Sequence, residues 1–290
     1  MEVSNTLLGC DYIDLWKKNM KEWDGTLSKR MIYDEAEEHF WNSFIEKKKQ
    51  KGEDYINLYA YRVQEELLTL VHSKDSVLEI GPGWGNYTFF MAKNVNHLTC
   101  VDSSQSVINF LKEKTEKYHY KNISFIHGKW EQLNMKQRYD VVFGINCYYR
   151  INDIGEALLK MNNAASRLAI VGMTSGPEKP HYIDLHRERG YSIRFRRTDY
   201  IHLQNILYQL GIMANCKIIN IPSVTAYPSY DALIQDNITK IMTKGYNKGE
   251  VEQALSRYVI EKDGKYEYPY TFNAVLLYWK PIYDRFRPDK

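Results

Sequence analysis

Apolar residues in the first seventy positions return at intervals of three and four: Tyr12, Leu15, Trp16 and Met20, then Ile32, Ala36, Phe40 and Phe44, then Ile56, Tyr59, Val63, Leu67 and Leu70. That period predicts three successive helices, each with one apolar face. Asp24-Gly25 and the charged run KKKQKGE over 47–53 mark the breaks between them. From Ser76 the rhythm changes to short apolar runs: SVLEI (76–80), HLTCVD (97–102), NISFIH (122–127), YDVVFGIN (139–146) and RLAIVGM (167–173). Helical stretches over 87–94, 105–118 and 154–164 separate them, with Ser104 and Asp153 at capping positions. Such alternation predicts a parallel sheet with crossover helices. Beyond it lie an irregular stretch to about Arg197, a helix over 200–211 and a strand CKIINI (216–221). Helices over about 229–243 and 249–261, a turn at Lys262-Asp263-Gly264 and the apolar strand TFNAVLLYWK (271–280) complete the pattern, with no internal repeat.

A length of 290 residues suits one α/β domain of roughly 200 residues with an added segment. Hydrophobic residues make up 44%, yet no apolar run approaches the roughly 20 residues needed to span a bilayer. The stretch MEVSNTLLGCDYIDLW has no basic segment ahead of an apolar one, so no secretory signal is expected and the cytoplasm is the expected compartment. Cys10, Cys100, Cys147 and Cys216 are widely spaced and read as reduced packing residues, with no metal expected. A net charge of +3 is too small to imply nucleic acid by itself.

The segment EIGPGWGN (79–86) follows the first parallel strand. Gly81, Gly83 and Gly85 bring bare backbone to the carboxyl edge of that strand, where the next helix presents free N–H groups. A nucleoside-like ligand fits such a loop. A glycine-rich turn alone would be ambiguous, but Asp102 ends the second strand, where a carboxylate accepts both ribose hydroxyl protons. Nicotinamide dinucleotides and S-adenosylmethionine (SAM) both use this arrangement. The dinucleotide fingerprint requires glycine where the chain has Asn86, and Glu79 would repel a diphosphate while welcoming a cationic amino group. A zwitterion-bearing nucleoside is favoured.

The E-x-G-x-G-x-G loop, the acid closing the second strand and the late apolar strand together resemble class I SAM-dependent methyltransferases, over residues from about 73 to 290. The resemblance implies a seven-stranded, mostly parallel, doubly wound α/β sheet of Rossmann-like type, in the order 3-2-1-4-5-7-6. Its seventh strand, antiparallel, would be TFNAVLLYWK between the fifth strand and CKIINI. SAM would be the cofactor and S-adenosylhomocysteine (SAH) its product. By the same resemblance Glu79, Gly81, Gly83 and Gly85 border the methionine moiety, Asp102 the ribose, and Lys129, Trp130 and Glu131 the adenine, with Ser103 and Asn146 as further cofactor contacts. Lys129 stands where many relatives have an aspartate. It cannot accept the adenine amino hydrogen bond, which leaves that task to backbone groups, Trp130 or Glu131. The helical segment 1–72 is expected to cap the SAM-binding domain 73–290, with 174–197 and 223–264 as pocket-side or surface additions.

The acceptor pocket of this fold lies after the fourth strand, here Asn146-Cys147-Tyr148-Tyr149-Arg150. Amino-directed nucleic-acid enzymes have a proline between the counterparts of Asn146 and Tyr149, and RNA cytosine enzymes a proline-cysteine pair; both patterns are broken here. Tyr148, Tyr149 and His181 are the candidate acceptor-side residues. The stretch HYIDLHRERGYSIRFRR (181–197) either attracts an anionic substrate or forms a solvated face. Methyl transfer from a sulfonium is an in-line displacement in which positioning supplies much of the rate, so a general base is not obligatory. The expected activity is methylation of a small molecule, anionic or aromatic. An RNA methyltransferase gripping phosphates with residues 187–197 and a SAM-binding protein without transfer activity are the alternatives.

Overall fold

The computed structural model describes residues 9–22, 24–51 and 58–283, so Trp23, Tyr55 and Ile56 lie outside the described residues. Helices α1 (Tyr12–Asn19), α2 (Lys29–Ile32), α3 (Asp34–Lys51) and α4 (Leu58–Leu68) precede the sheet. Asp11 starts α1 by accepting from the backbone N–H groups of Ile13 and Asp14. The helix expected through Ile32 and Ala36 is broken in two, because Tyr33 is extended at φ −117° and ψ 118°.

Strands β1 (Ser76–Ile80), β2 (His97–Asp102), β3 (Ile123–His127), β4 (Tyr139–Ile145) and β5 (Ala165–Ser175) alternate with α5 (Thr88–Asn94), α6 (Gln105–Lys117) and α7 (Ile154–Ala164). The pairs β1–β2, β1–β4, β2–β3 and β4–β5 are parallel, with Glu79 beside Cys100 and Phe143. After α8 (Pro180–Arg189) and α9 (Tyr200–Gln209) come β6 (Asn215–Tyr227), α10 (Tyr230–Asn237), α11 (Lys248–Ser256), β7 (Ile260–Lys262) and β8 (Lys265–Trp279). The order β3-β2-β1-β4-β5-β8-β6 puts the late apolar strand in the expected place. Among the described residues the sheet has eight strands, one more than expected, because β7 pairs antiparallel with β8 across a turn at Asp263 and Gly264, both at positive φ.

The chain divides into two compact units. One comprises residues 1–173, 198–218 and 275–290, the other 174–197 and 219–274. The first unit's core includes Leu78, Val142 and Ala169 from the strands together with Trp16 and Trp279. Both indoles are satisfied, Trp16 Nε1 donating to the Ile151 carbonyl at 3.2 Å and Trp279 Nε1 to Asn162 Oδ1 at 3.2 Å. The second unit has its own core, built from residues such as Tyr182, Leu185, Tyr227, Leu233 and Tyr268. Here α8 replaces the irregular stretch expected before Arg197: Pro180 occupies its first turn and Gly190, at φ 68°, ends it. No helix among the described residues is long and apolar enough to cross a membrane.

Candidate active site

β1 ends beside β2 and β4, and the chain turns at Gly81 (φ 64°) and Gly83 (φ 52°), both in the left-handed region. The Gly81 N–H donates to the Val101 carbonyl at 2.8 Å, which ties the loop to the neighbouring strand. A Cβ on Gly81 would collide with Cys147 Cβ, and one on Gly83 would stand 2.8 Å from the Trp41 ring. The loop thus needs glycine because α3 and the turn after β4 close upon it, and both residues face a cavity. Gly85 does not reach that cavity. Its missing Cβ makes room for Leu111 and Phe89 on the following helices.

The cavity holds about 400 Å³, within the first unit. Gly81 and Gly83, Asp102 and Ser103 at the end of β2, Lys129, Trp130 and Glu131 after β3, and Asn146 and Tyr149 after β4 all line it. α2 and α3 contribute Arg30, Met31, Asp34, Glu37, Phe40 and Trp41. Asp102 is 6% exposed and accepts from the Ser104 N–H at 2.9 Å and, weakly, from the Gly83 N–H at 3.4 Å. Burial pushes its carboxyl up to about 6, with the nearby Glu37 and Glu38 adding to the rise. Such a carboxylate, enclosed yet on a cavity wall, has acceptor capacity for ribose hydroxyls. Lys129 points its ammonium at Asp34, 2.5 Å away. Trp130 is anchored by its indole N–H on the Ala157 carbonyl at 3.1 Å, with Lys160 Nζ 5.3 Å from its ring centroid.

Glu79 is not on the cavity wall. It is 1% exposed, and its Oε2 accepts from Thr88 Oγ1 at 2.7 Å with Cys100 Sγ at 3.6 Å. Oε1 is buried with no hydrogen-bond partner among the described residues, a site that suits a donor such as a methionine amino group or a bridging hydrogen-bond donor. Burial raises this carboxyl to about 7; the bonds from Thr88 and Cys100 pull it down and Asp102 pushes it up.

The acceptor-side candidates separate. Tyr149 lines the cavity and donates to Asn146 Oδ1 at 2.7 Å, while Asn146 Nδ2 donates to the Tyr59 hydroxyl at 2.8 Å. Asn146 is itself at φ 55°, a conformation asparagine tolerates better than most residues. Tyr148, one position earlier in the 3-10 turn Tyr148–Arg150, is buried in the core with its hydroxyl 3.1 Å from Met161 Sδ. His181 belongs to the second unit and is fully buried. Its ring nitrogens meet the Tyr268 hydroxyl at 2.9 Å and the Asn237 carbonyl at 3.2 Å, and burial pushes its pKa down to about 4. Both ring nitrogens are thus engaged within the second unit's core. The arginine stretch after it also lies in the second unit, with Arg189 on Gln253 and Arg196 on the Thr174 carbonyl. Arg30, Glu37 and Arg150, by contrast, stand on the cavity wall without having been singled out by spacing.

Residues 77–167, from β1 into β5, match the family model of a methyltransferase domain. Two curated relatives share 26% identity: the ribosomal RNA small subunit methyltransferase A of Malacoplasma penetrans, over 37% of this chain and 41% of that protein, and an uncharacterized protein of Haemophilus influenzae, over 57% and 60%. The chain thus spans about half the length of the curated relatives it matches. Among solved structures it is similar to the magnesium protoporphyrin IX methyltransferase of Synechocystis PCC 6803 with bound SAH (TM-score 0.52, 13% identity, 86% of this chain and 100% of that one). The YcgJ protein of Bacillus subtilis is similar as well (TM-score 0.50, 13% identity, 77% and 99%). The chain has the Rossmann-like fold of class I SAM-dependent methyltransferases.

Proposed function

We propose that the chain is a SAM-dependent methyltransferase acting on a small-molecule acceptor. The observation that carries this reading is one cavity shared by Gly81, Gly83 and Asp102 with Asn146, Tyr149 and the helices α2 and α3. Its volume of about 400 Å³ lies at the small end of ligand sites, which run to roughly 1,000 Å³. Bound SAM supplies the electrophilic methyl group. Asp102 accepts the ribose hydroxyls, the bare backbone at Gly81 and Gly83 admits the methionine part, and the orphaned Glu79 Oε1 takes up the amino group directly or through one bridge. Asn146 and Tyr149 orient the acceptor, and the segment 1–72 acts as a cap whose Phe40 and Trp41 exclude water.

Incubation with methyl-labelled SAM and separate metabolite, RNA and protein fractions tests the proposal. Label in the metabolite fraction is the expected result. Label confined to RNA would favour the nucleic-acid alternative, and SAH binding without label in any fraction would favour a binding protein.

A further inference from the structure

Helix α2, helix α3 and the turn after β4 bring two guanidinium groups around one carboxylate on the cavity wall. Arg30 donates to Glu37 from Nε at 2.5 Å and from Nη2 at 2.9 Å. Arg150 Nε stands 3.6 Å from Glu37 Oε2, and its Nη1 donates to Ser28 Oγ at 3.3 Å. Trp41 Nε1 also donates to Glu37 at 2.9 Å, so this acid already serves three donors. Among the described residues, Arg30 Nη1 and Arg150 Nη2 have no acceptor. The Arg30 Cζ stands 3.2 Å from the centroid of the Phe40 ring.

Two cations share one anion here, and the shortfall is felt: burial and then the Arg30 charge lower the Arg150 pKa, while Glu37 and Glu22 oppose them. Glu22 is exposed, so solvent screens it. Neither Arg30 Nη1 nor Arg150 Nη2 is among the buried atoms that lack a partner, so both remain accessible to a further anion entering the cavity. A planar carboxylate matches the donor fork. We propose that Arg30 and Arg150 hold a carboxylate of the methyl acceptor, which makes the substrate an organic acid. Phe40, Trp41 and Tyr149 on the same cavity suit an aromatic one. Arg150 sits in the turn that carries Tyr149, next to Asn146, whereas Asp102 and the glycine loop lie at the ends of β2 and β1. The acceptor assignment rests on the methyltransferase reading above.

Calorimetric titration of the full chain with SAH separates the two claims. If SAH does not bind, the methyltransferase reading fails, and the arginine site is still read by titrating the chain alone with sodium benzoate. With SAH saturating, benzoate is expected to bind the native chain saturably. Arg150→Gln weakens benzoate by about tenfold or more, the value of a lost charge-assisted bond, and leaves SAH affinity within about twofold. Glu37→Gln removes the competing acid and tightens benzoate by roughly threefold or more, a gain that misfolding cannot produce. No saturable benzoate binding, or unchanged affinity in Arg150→Gln, would overturn the proposal. So would loss of SAH affinity in Arg150→Gln with 5′-methylthioadenosine affinity intact, since the arginines would then serve the cofactor's own carboxylate.

Discussion

Glu79→Gln removes a negative charge from the floor of the sheet while keeping an oxygen able to accept from Thr88. In the folded chain the Glu79 carboxyl titrates at about 7, against an ordinary value of 4.5, because it is wholly buried and only one of its oxygens is bonded. A raised folded pKa means that the group costs nothing below the unfolded value, where both states hold the proton. The cost grows as pH rises from about 4.5 and is complete above about 7. At roughly 1.36 kcal/mol per pH unit, the full cost is about 3 kcal/mol. Urea unfolding of ligand-free protein, run from about pH 5 to pH 8.5, should therefore show the glutamine variant more stable at high pH by about 3 kcal/mol, with the gap closing as pH falls. The same variant should bind SAH about tenfold more weakly, because a charged partner for the amino group is lost. A stability gap that does not change with pH, or a variant less stable at pH 8.5, would refute this account of the buried acid.

Asp102→Ala should weaken SAH binding by about 1.5–3 kcal/mol through loss of the ribose acceptor, and unchanged calorimetric affinity would count against that role. Tyr149→Phe should slow methyl transfer by breaking the bond to Asn146 Oδ1, whereas Tyr148→Phe, whose buried hydroxyl meets Met161 Sδ and the Cys147 thiol, should leave transfer and SAH affinity intact; single-turnover rates of the two variants decide. Gly81→Ala should lower stability by about 1–2 kcal/mol or more, since φ 64° disfavours a Cβ and Cys147 occupies its place; a melting temperature equal to that of the native chain would contradict the packing argument.

The central parallel strands were legible because they are buried on both faces and so read as unbroken apolar runs: SVLEI coincides with β1, and HLTCVD with β2. The extents of β6 and β8 were not. Residues 215–227 alternate between buried and exposed positions for much of their length, so only CKIINI stood out. α8 was hidden by its charged face, although Pro180 at its start and Gly190 at its end are ordinary boundary signals. Asp102 was readable as a cavity-lining acid because its position at the end of β2 follows from the strand pattern. The Arg30–Glu37–Arg150 group was not, since Arg150 meets Ser28 across 122 residues and no local period connects them. Tyr148 and Tyr149 are adjacent letters with opposite destinations, a difference fixed by the turn and invisible in composition. The partners of His181, the Tyr268 hydroxyl and the Asn237 carbonyl, lie 87 and 56 residues away and are likewise invisible to local spacing.

Two of the chain's six tryptophans, Trp41 and Trp130, border the cavity proposed for the nucleoside. Indole emission depends on nearby polarity and on quenching by stacked aromatic bases. The protein therefore carries its own optical gauge of occupancy, and replacing Trp41 or Trp130 singly by Phe would show which of the two fluorophores reports the adenine end and which the mouth.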